Sequence, residues 1–276
     1  MNDTAPLVSL ITVNYRMLHF IRHLLRGVEE AKLAFPHEYL LVDSGSNDGC
    51  IEMVREQFPW VKTYAEPKNV GFGKGNNIAI REARGKYIML CNPDLTIMPG
   101  ELEKWVDWME AHPTVGISGP RVINPDGTDQ DSCYHFPRPW TPLLRRTPLG
   151  RFGVAQRHLD TYLMRSMDRD REQEVDWVLG AAMLIRRDVL NAIGVFDERF
   201  FLYFEDADLC RRTWEAGYSV TYTPVARIVH YHRRQSQTRH VWQVLQNPVT
   251  RIHIASAIKY FLKYLGKPHP RQVKHP

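Results

Sequence analysis

Near its start the sequence reads Leu7-Val-Ser-Leu-Ile-Thr-Val13, a short and continuous apolar run. Such a run is typical of a strand that is buried on both faces of a parallel sheet. Apolar side chains at helical spacing follow it, which predicts a helix from Leu18 to about Val28.

The alternation of strand and helix continues through the first part of the chain. It predicts an α/β fold with a doubly wound, mostly parallel sheet. Ligands of such sheets bind beyond the carboxyl ends of the strands. The further strands are predicted at Tyr39-Leu-Leu-Val-Asp43, near Val61–Ala65 and at Tyr87-Ile-Met-Leu-Cys91, with helices ending near Phe58 and lying near 76–84.

The second part of the chain is less regular. A long Arg- and Pro-rich stretch at 137–174 is expected to be a functional or disordered loop, and a strand pair is predicted near 218–222 and 226–231. The C-terminal stretch Val249–Leu265 has an apolar stripe with basic residues beside it. This pattern fits a helix that packs on the core, or one that lies on an anionic membrane surface.

Composition narrows the class of protein. A chain of 276 residues with 43% hydrophobic residues can bury one large core. No stretch reaches the roughly 18 apolar residues of a membrane-spanning helix, and the N-terminus lacks a signal-peptide pattern, so we expect a cytoplasmic protein. The net charge of +5 fits anionic partners, but the Arg-rich stretches do not show the aromatic-interleaved pattern of RNA-binding proteins, which argues against nucleic acid. Four widely spaced cysteines predict neither a zinc ribbon nor a disulfide framework.

Polar residues follow three of the predicted strands, at Thr12-Val-Asn-Tyr15, Asp43 and Asn92-Pro-Asp94. All three sets should meet at one crevice beyond the strand ends. A carboxylate at Asp43 can accept hydrogen bonds from a nucleobase or ribose, and the alternative is an acid that caps the next helix. A carboxylate at Asp94 can bind Mg²⁺ or Mn²⁺ on a diphosphate, and the alternative is a turn acid after Pro93.

The glycine-rich stretch Asn69-Val-Gly-Phe-Gly-Lys-Gly-Asn-Asn77 lacks the dinucleotide-binding spacing. Its glycines follow the pattern G-x-G-x-G after the third strand, whereas the phosphate-binding fingerprint is G-x-G-x-x-G after the first. This excludes a dehydrogenase. We expect a flexible loop whose Lys74, Asn76 and Asn77 face a nucleotide, and the alternative is a plain glycine turn with a helix cap.

The acidic cluster Glu205-Asp206-Ala-Asp208 opens a predicted helix. Acids are favoured there by the helix dipole, so a solvated helix start is one interpretation. Asp208 can reach Arg211 or Arg212 at helical spacing, which makes it the more structural candidate. Asp206 is then the candidate general base.

Two histidines, His230 and His232, end the last predicted strand. A lone strand histidine is more often packed than bound to a ligand. We expect His230 in particular to complete a metal site with Asp94.

Together these residues resemble glycosyltransferase family two, with its GT-A fold, over about residues 7–265. The GT-A fold implies a Rossmann-like nucleotide half at 1–120, an acceptor half with a smaller sheet at 121–245, and a helical tail at 246–276. The stretch Phe200-Phe-Leu-Tyr-Phe-Glu-Asp-Ala-Asp-Leu-Cys-Arg211 is similar to the bacterial rhamnosyltransferase-like branch. The other motifs, in the family's order, are Ser9-Leu-Ile-Thr-Val-Asn-Tyr15, Val42-Asp-Ser-Gly-Ser-Asn-Asp-Gly49, Asn69-Val-Gly-Phe-Gly73 and Asn92-Pro-Asp94.

The resemblance implies inverting, non-processive sugar transfer by single displacement, with Asp206 taking the proton from the acceptor hydroxyl. Asp94 and His230 would hold the metal on the diphosphate of a nucleotide-sugar donor, and Asp43 would bind the donor's base and ribose. Further residues expected to contact the nucleotide sugar are Thr12, Asn14, Tyr15, a serine at position 45 in the turn Ser44-Gly45-Ser46, Gly73, Asn76, Asn92 and Glu205.

Two departures from the family pattern bear on metal use and on the product. The D-x-D motif opens with Asn92, which removes a carboxylate and weakens the prediction of strict metal dependence. No Q-x-x-R-W sequence follows the acidic cluster, which disfavours processive polysaccharide synthesis as in cellulose synthases.

The resemblance predicts transfer of rhamnose from dTDP-rhamnose to a glycan or polyprenyl-diphosphate-linked acceptor in cell-surface polysaccharide assembly. The alternatives are a UDP-sugar donor (UDP-GlcNAc, UDP-galactose or a UDP-hexuronate) and a non-catalytic nucleotide-sugar-binding scaffold subunit. We interpret the Arg-rich stretch 138–171 as a flap that binds the lipid-linked acceptor at the inner membrane face. The amphipathic tail leaves peripheral membrane attachment and a homodimer open.

Overall fold

The apolar runs of the sequence form the strands of one large sheet in the computed structural model, which describes residues 5–231 and 247–272. A second sheet has two short strands. In chain order the strands are β1 (Val8–Asn14), β2 (His37–Ser44), β3 (Val61–Glu66), β4 (Tyr87–Cys91), β5 (Leu95–Ile97), β6 (Val115–Ile123), β7 (Cys133–Tyr134), β8 (Gln173–Glu174), β9 (Trp177–Val178), β10 (Ala182–Arg186) and β11 (Ser219–His230).

Helices pack against both faces of the large sheet. Among the described residues, none of them has the length and apolar content needed to cross a lipid bilayer. The α-helices are α1 (Leu18–Ala31), α2 (Cys50–Gln57), α3 (Phe72–Glu82), α4 (Glu101–Ala111), α5 (Thr141–Arg146), α6 (Gly153–Tyr162), α7 (Arg187–Ile193), α8 (Glu205–Glu215) and α9 (Pro248–Lys263), with 3₁₀ turns at Pro148–Arg151 and Pro270–Gln272.

The large sheet is parallel on one side and mixed on the other. Strands β3, β2, β1 and β4 lie side by side in that order and are parallel. Beyond β4, strand β10 is antiparallel to both β4 and β6, and β11 is parallel to β6. The small sheet pairs β7 with β9. The predicted α/β fold with a second, smaller sheet is confirmed, with the parallel pairing concentrated in the first half of the chain.

Strand β1 is buried on both faces, as its continuous apolar sequence predicts. Its Ile11 packs in a hydrophobic cluster with α3 and α8, whereas Val8 and Leu10 pack in another with α1, α2 and α4. Side chains alternate along a strand, so each cluster lies on one face of the sheet. The carboxyl ends of β1, β2 and β4 therefore emerge together between two packed layers.

Three local predictions differ from the structure. The helix expected near 76–84 begins at Phe72, because the glycine-rich stretch forms its first turn. The stretch 137–174 contains α5 and α6 instead of only loop, since Leu159 and Tyr162 are buried in the core. The two strands expected near 218–222 and 226–231 are one strand, β11, whose register against β6 shifts between Thr223 and Arg227.

The C-terminal helix α9 packs on the core with one side only. It begins at Pro248, and the Asn247 side chain caps it by accepting a hydrogen bond from the backbone N–H of Val249 at 2.9 Å. Its Tyr260 is buried, with the ring centroid 5.2 Å from that of Phe204. The helix thus holds the segment that precedes α8, while its other side remains exposed to solvent.

Candidate active site

The ends of β1 and β2 bring Asn14 and Asp43 together as register partners. Asn14 Nδ2 donates hydrogen bonds to Asp43 Oδ1 at 2.7 Å and to Ser46 Oγ at 3.0 Å. The backbone N–H of Ser46 donates to Asp43 Oδ2 at 3.0 Å. Each carboxylate oxygen of Asp43 retains lone pairs for a further donor, so this buried group can bind a ligand hydroxyl or N–H.

The turn after β2 corrects the nucleotide contact expected from a serine at position 45. Residue 45 is Gly45, which has no hydroxyl to offer a ligand. Its φ is 66°, and a Cβ there would lie 2.5 Å from the Cα of Lys68, so the close approach of two backbone segments leaves no room for a side chain. The serine that lies beside Asp43 is Ser46, and the prediction of a serine contact at position 45 is wrong.

Two other strand-end candidates have different surroundings. Thr12 is fully buried, with Oγ1 2.7 Å from the hydroxyl of Tyr39 and 2.8 Å from the carbonyl oxygen of Cys91. Tyr15 is 43% exposed, beside the guanidinium of Arg16. Thr12 therefore joins neighbouring strands inside the sheet, whereas Tyr15 is accessible to a ligand.

The glycine-rich stretch joins α3 to the segment before α8. A Cβ at Gly71, where φ is 84°, would clash with the carbonyl oxygen of Phe201. That oxygen accepts a hydrogen bond from the backbone N–H of Phe72 at 2.9 Å. A Cβ at Gly75 would lie 2.8 Å from a methyl group of Val13. Gly71 and Gly75 thus allow the start of α3 to pack closely against Phe201 and Val13.

Of the predicted nucleotide contacts in this stretch, Gly73, Asn76 and Asn77 lie inside the protein, whereas Lys74 is exposed. Gly73 packs against Phe196, and Asn76 Nδ2 donates to the carbonyl oxygen of Phe72 at 2.9 Å. The amide of Asn77 both donates to and accepts from the backbone of Phe196 at 2.9 Å. Both asparagines are buried, so their amides are engaged within the protein and do not face a nucleotide.

The residues expected to hold a metal are neighbours. Antiparallel pairing of β11 with β5 places His230 opposite Leu95, and His230 Nε2 lies 3.3 Å from Asp94 Oδ1. Asn92 starts the same turn, where its backbone N–H donates to the carbonyl oxygen of Ala181. The second histidine of the prediction, His232, lies outside the described residues.

Gln130 orients His230, a contact that no local sequence pattern indicates. Gln130 Nε2 donates to the His230 carbonyl oxygen at 2.6 Å and to Asn124 Oδ1 at 2.7 Å, so its Oε1 faces His230 Nδ1 at 3.0 Å. A hydrogen on Nδ1 then leaves the lone pair of the neutral ring on Nε2, toward Asp94. An imidazole nitrogen beside a carboxylate oxygen suits Mn²⁺ better than Mg²⁺, which prefers oxygen ligands.

A second group of metal-ligating side chains, Asp43, Asp48 and Cys50, lies within 4.8 Å. Burial, with these acids adding to it, raises the pKa of the Cys50 thiol to about 12, so it stays protonated at neutral pH. Asp48 Oδ1 accepts a hydrogen bond from the backbone N–H of Cys50, the first residue of α2, at 3.1 Å. This group therefore suits a hard divalent cation less well than Asp94 and His230 do.

Two strained aromatic residues lead into α8. Tyr203 and Phe204 both have φ of 70°, in the left-handed region that bulky side chains rarely adopt. Each such residue costs on the order of 1–3 kcal/mol and persists only where the surroundings hold it. The left-handed conformation of Tyr203 and Phe204 places Glu205 and Asp206 at the start of α8. The sequence has no glycine at these two positions that would indicate such a turn.

Asp206 is a buried carboxylate held by backbone donors. The backbone N–H of Gly180 donates to its Oδ2 at 3.2 Å, and the N–H of Ala207 donates to its Oδ1 at 2.9 Å. No Lys or Arg of the described residues forms a salt bridge with it. Burial raises its pKa to about 6, which suits a base that accepts a proton near neutral pH.

Glu205, next to Asp206, is also buried. Its Oε2 has no hydrogen-bond partner within the described part of the chain. Burial, and then the charge of Asp206, raises the pKa of Glu205 well above its usual range. Its carboxyl therefore holds a proton more tightly than an exposed glutamate does, and in the protonated form it can donate a hydrogen bond.

Asp208 has a different environment on the same helix. Arg212 Nε lies 2.8 Å from its Oδ2, the Tyr264 hydroxyl donates to its Oδ1 at 2.7 Å, and Lys263 forms a salt bridge with the same oxygen. The side chain is fully buried. These contacts fit the structural role expected of this acid, since they tie α9 to α8.

The family model for glycosyl transferase family 2 matches residues 9–194, more than half of the chain. The chain belongs to glycosyl transferase family 2. As a member of that family it is a glycosyltransferase, and its predicted resemblance is confirmed.

Two curated relatives of this family 2 protein are named as rhamnosyltransferases. It is 31% identical over 254 residues to the N-acetylglucosaminyl-diphospho-decaprenol L-rhamnosyltransferase of Mycobacterium tuberculosis (strain ATCC 25618 / H37Rv), covering 87% of this chain and 79% of that one. It is 22% identical over 265 residues to the rhamnosyltransferase WbbL of Escherichia coli (strain K12), covering 93% of each. The chain is therefore similar to the rhamnosyltransferase-like members of family 2.

Solved structures support the fold. The crystal structure of GalNAc-T7 with UDP, GalNAc and Mn²⁺ matches with a TM-score of 0.63 at 13% identity, over 96% of this chain and 49% of that one. This chain therefore spans about half the length of that structure. The mannosyltransferase PcManGT from Pyrobaculum calidifontis, in complex with GDP-Man and Mn²⁺, matches with a TM-score of 0.56 at 20% identity, over 98% and 73%. The predicted GT-A fold is confirmed.

Proposed function

We propose that this glycosyltransferase transfers one rhamnose from dTDP-rhamnose to a lipid-linked diphosphate sugar, with inversion at the anomeric carbon. The observation that carries the proposal is Asp206, a buried carboxylate with a raised pKa and no salt bridge to a described residue. The names of the relatives from M. tuberculosis and E. coli support the sugar, and the first of them supports the acceptor.

The proposed chemistry is a single displacement. Asp206 takes the proton of the acceptor hydroxyl, and the hydroxyl oxygen forms a bond to the anomeric carbon of the donor. The bond from that carbon to the diphosphate oxygen breaks at the same time, and the nucleoside diphosphate leaves with the electron pair. Attack from the face opposite the leaving group inverts the configuration. Glu205, whose pKa is raised by burial and by the charge of Asp206, would be a hydrogen-bond donor beside the base in its protonated form.

Donor binding is assigned to the strand ends. Asn14 and Asp43 would hold the base and ribose, and the exposed ring of Tyr15 lies at the same edge of the sheet. Asp94 and His230 would hold Mn²⁺ or Mg²⁺, which when bound neutralises negative charge on the leaving diphosphate.

We also propose that the stretch from α5 to α6 contacts the membrane in which a lipid-linked acceptor resides. Large apolar side chains are exposed along it, including Phe152 at 69%. The outer side of α9 is apolar as well, with Leu262 at 67% exposed. Apolar side chains next to basic ones favour the surface of an anionic bilayer. The other exposed apolar residues of these two regions are Trp140, Leu143, Leu149, Val154, Ile258 and Leu265.

Nucleotide release from a panel of dTDP- and UDP-sugars tests the proposed function. Each donor is supplied with Mn²⁺, Mg²⁺ or EDTA, with and without a polyprenyl-diphosphate GlcNAc acceptor. We expect acceptor-stimulated release of dTDP from dTDP-rhamnose alone, and loss of activity in EDTA. Release from a UDP-sugar would replace the donor assignment. If no donor gives nucleotide release although the protein still binds nucleotide, the non-catalytic scaffold alternative would be favoured.

A further inference from the structure

Two neighbouring arginines at the end of α5 lie beside the strained turn that precedes α8. The guanidinium carbon of Arg146 is 5.4 Å from the ring centroid of Tyr203, and that ring is 4.8 Å from the imidazole of His253 on α9. The guanidinium carbon of Arg145 is 5.6 Å from the ring of Tyr134. Three basic side chains from two helices are thus gathered around aromatic rings.

The two arginines lack a salt bridge. Within residues 5–231 and 247–272, no carboxylate forms one with Arg145 or Arg146, although the charges of Asp131 and Asp206 act on Arg145 from beyond salt-bridge distance. Arg146 Nη1 and His253 Nδ1 are both buried without a hydrogen-bond partner in these residues. A buried polar group left without a partner destabilises the folded state, and a charged group does so more than a neutral one. Such groups call for an external ligand, and the donors present here would suit an anion.

The electrostatics agree with this geometry. Burial, with Arg146 and Arg145 adding to it, lowers the pKa of His253 to about 3. Burial also lowers the pKa of the Arg146 guanidinium. The field of Arg145 reaches the carboxylate of Asp206, which places this positive region near the proposed base. A guanidinium binds phosphate oxygens through two parallel hydrogen bonds, so phosphate is the chemistry that fits.

We propose that Arg145, Arg146 and His253 form a second anion site, distinct from the Asp94 and His230 site, which binds the diphosphate of the lipid-linked acceptor. This inference rests on the proposed function. The donor diphosphate is assigned to the strand-end side of the molecule. The arginines instead adjoin Leu143 and Leu149, apolar residues exposed on the stretch proposed to contact the membrane.

Pyrophosphate binding tests the site without relying on catalysis. Isothermal titration of the full chain with inorganic pyrophosphate in EDTA should show binding that weakens about tenfold or more in Arg145→Gln and Arg146→Gln. Arg146→Lys, which keeps the charge, should retain part of the affinity and shows that the site folds. Asp94→Asn and Arg26→Gln, an exposed arginine of α1, should bind as wild type does. Absent binding, or loss in Asp94→Asn but not in Arg146→Gln, would overturn the site.

Kinetics then separate the two sources of diphosphate. In Arg146→Gln the KM for the polyprenyl-diphosphate acceptor should rise about tenfold or more, while the KM for the nucleotide sugar stays unchanged. A rise in the nucleotide-sugar KM alone would assign the site to the donor and overturn the inference. If no donor supports turnover, the proposed function fails, and the pyrophosphate titration still decides whether the anion site exists.

Discussion

Asp206 and Asp208 lie two residues apart at the start of α8, and their surroundings differ completely. Asp208 binds Arg212, Lys263 and Tyr264 and is fully buried. Asp206 accepts hydrogen bonds from two backbone N–H groups and has no salt bridge to a described residue. The two faces of one helix thus carry the same side chain in two roles, one structural and one suited to catalysis.

The helix geometry explains the difference. Successive residues turn by about 100° around a helix, so positions two apart point to nearly opposite sides. Asp208 faces α9, which supplies the cation Lys263, while Asp206 faces Gly180. A buried acid with cations is stabilised as an anion, whereas one without them is destabilised and its pKa rises. The buried, unpaired carboxylate of Asp206 lowers the stability of the folded state, at a position where a proton acceptor serves the proposed reaction.

Substitution of Asp206 should have the largest effect on activity. We expect Asp206→Asn to lower kcat about 10²- to 10⁴-fold, the usual contribution of a general base. Its melting temperature should change little, because removal of a buried charge without a cation offsets the one backbone hydrogen bond that the amide nitrogen of Asn cannot accept. Initial-rate kinetics and thermal unfolding of the same preparation check both statements. Turnover within about threefold of wild type would remove Asp206 from the mechanism.

Substitution of Asp208 should reverse the pattern. Asp208→Asn leaves Arg212 without its carboxylate partner and Lys263 with Asp197 alone, so the free energy of unfolding should fall by about 3–5 kcal/mol. Urea titration measures this, with Asp107→Asn, an exposed acid on α4, as the neutral control. The folded fraction should keep most of its turnover. If the Asp208→Asn protein were as stable as wild type but inactive, Asp208 would have the catalytic role assigned here to Asp206.

The pH dependence should separate the two acids further. Since the pKa of Asp206 is raised to about 6, kcat/KM should fall about tenfold per pH unit below that value, as the base becomes protonated. For stability the sign is opposite. The folded state holds this proton more tightly than the unfolded chain does, so the contribution of Asp206 to the unfolding free energy falls as pH rises from the unfolded pKa through about 6.

A profile of kcat/KM from pH 5 to pH 8, taken in wild type and in Asp208→Asn, checks the assignment of the titrating group. The acidic limb should appear unchanged in the Asp208 variant. An acidic limb that shifts with Asp208 would show that the two carboxylates are not independent.

Removal of one cation from Asp208 should have the smallest effect. Lys263→Met deletes the salt bridges of Lys263 with Asp208 and Asp197, but Arg212 and Tyr264 still hold Asp208. We expect the free energy of unfolding to fall by about 1–2 kcal/mol, with kcat unchanged. The matched control is Lys259→Met, one turn earlier on α9, whose ammonium reaches only a backbone carbonyl in an exposed position. Equal losses in both variants would argue against a specific role for the Asp208 network.

Much of the fold and part of the site followed from local sequence patterns. The apolar run at Leu7–Val13 predicted a doubly buried strand, and Asp43 at the end of β2 and Asp94 just after β4 lie where expected. The spacing of Asp208 and Arg212 predicted their salt bridge. These features depend on periodicity and on short-range geometry, which the sequence carries directly.

The glycine-rich stretch was harder to interpret. Its composition suggested a flexible loop that binds a nucleotide. In the structure, other backbone and side-chain atoms lie so close to Gly71 and Gly75 that only glycine fits at these positions. The atoms involved belong to Phe201 and Val13, far away along the chain. A glycine chosen for conformational freedom and one chosen for close packing look the same in a sequence.

By itself the sequence determined the α/β class and the polar residues that end three of the strands. It also contained the acids that are candidates for the general base and for a metal ligand. Only the tertiary structure decided that Gln130 orients His230, that two left-handed aromatic residues precede α8, and that Arg146 and His253 both lie beside the Tyr203 ring. The physical reason is range. Periodicity and capping act over a few residues, whereas pKa values, strain and unpartnered donors depend on what packing brings together from distant parts of the chain.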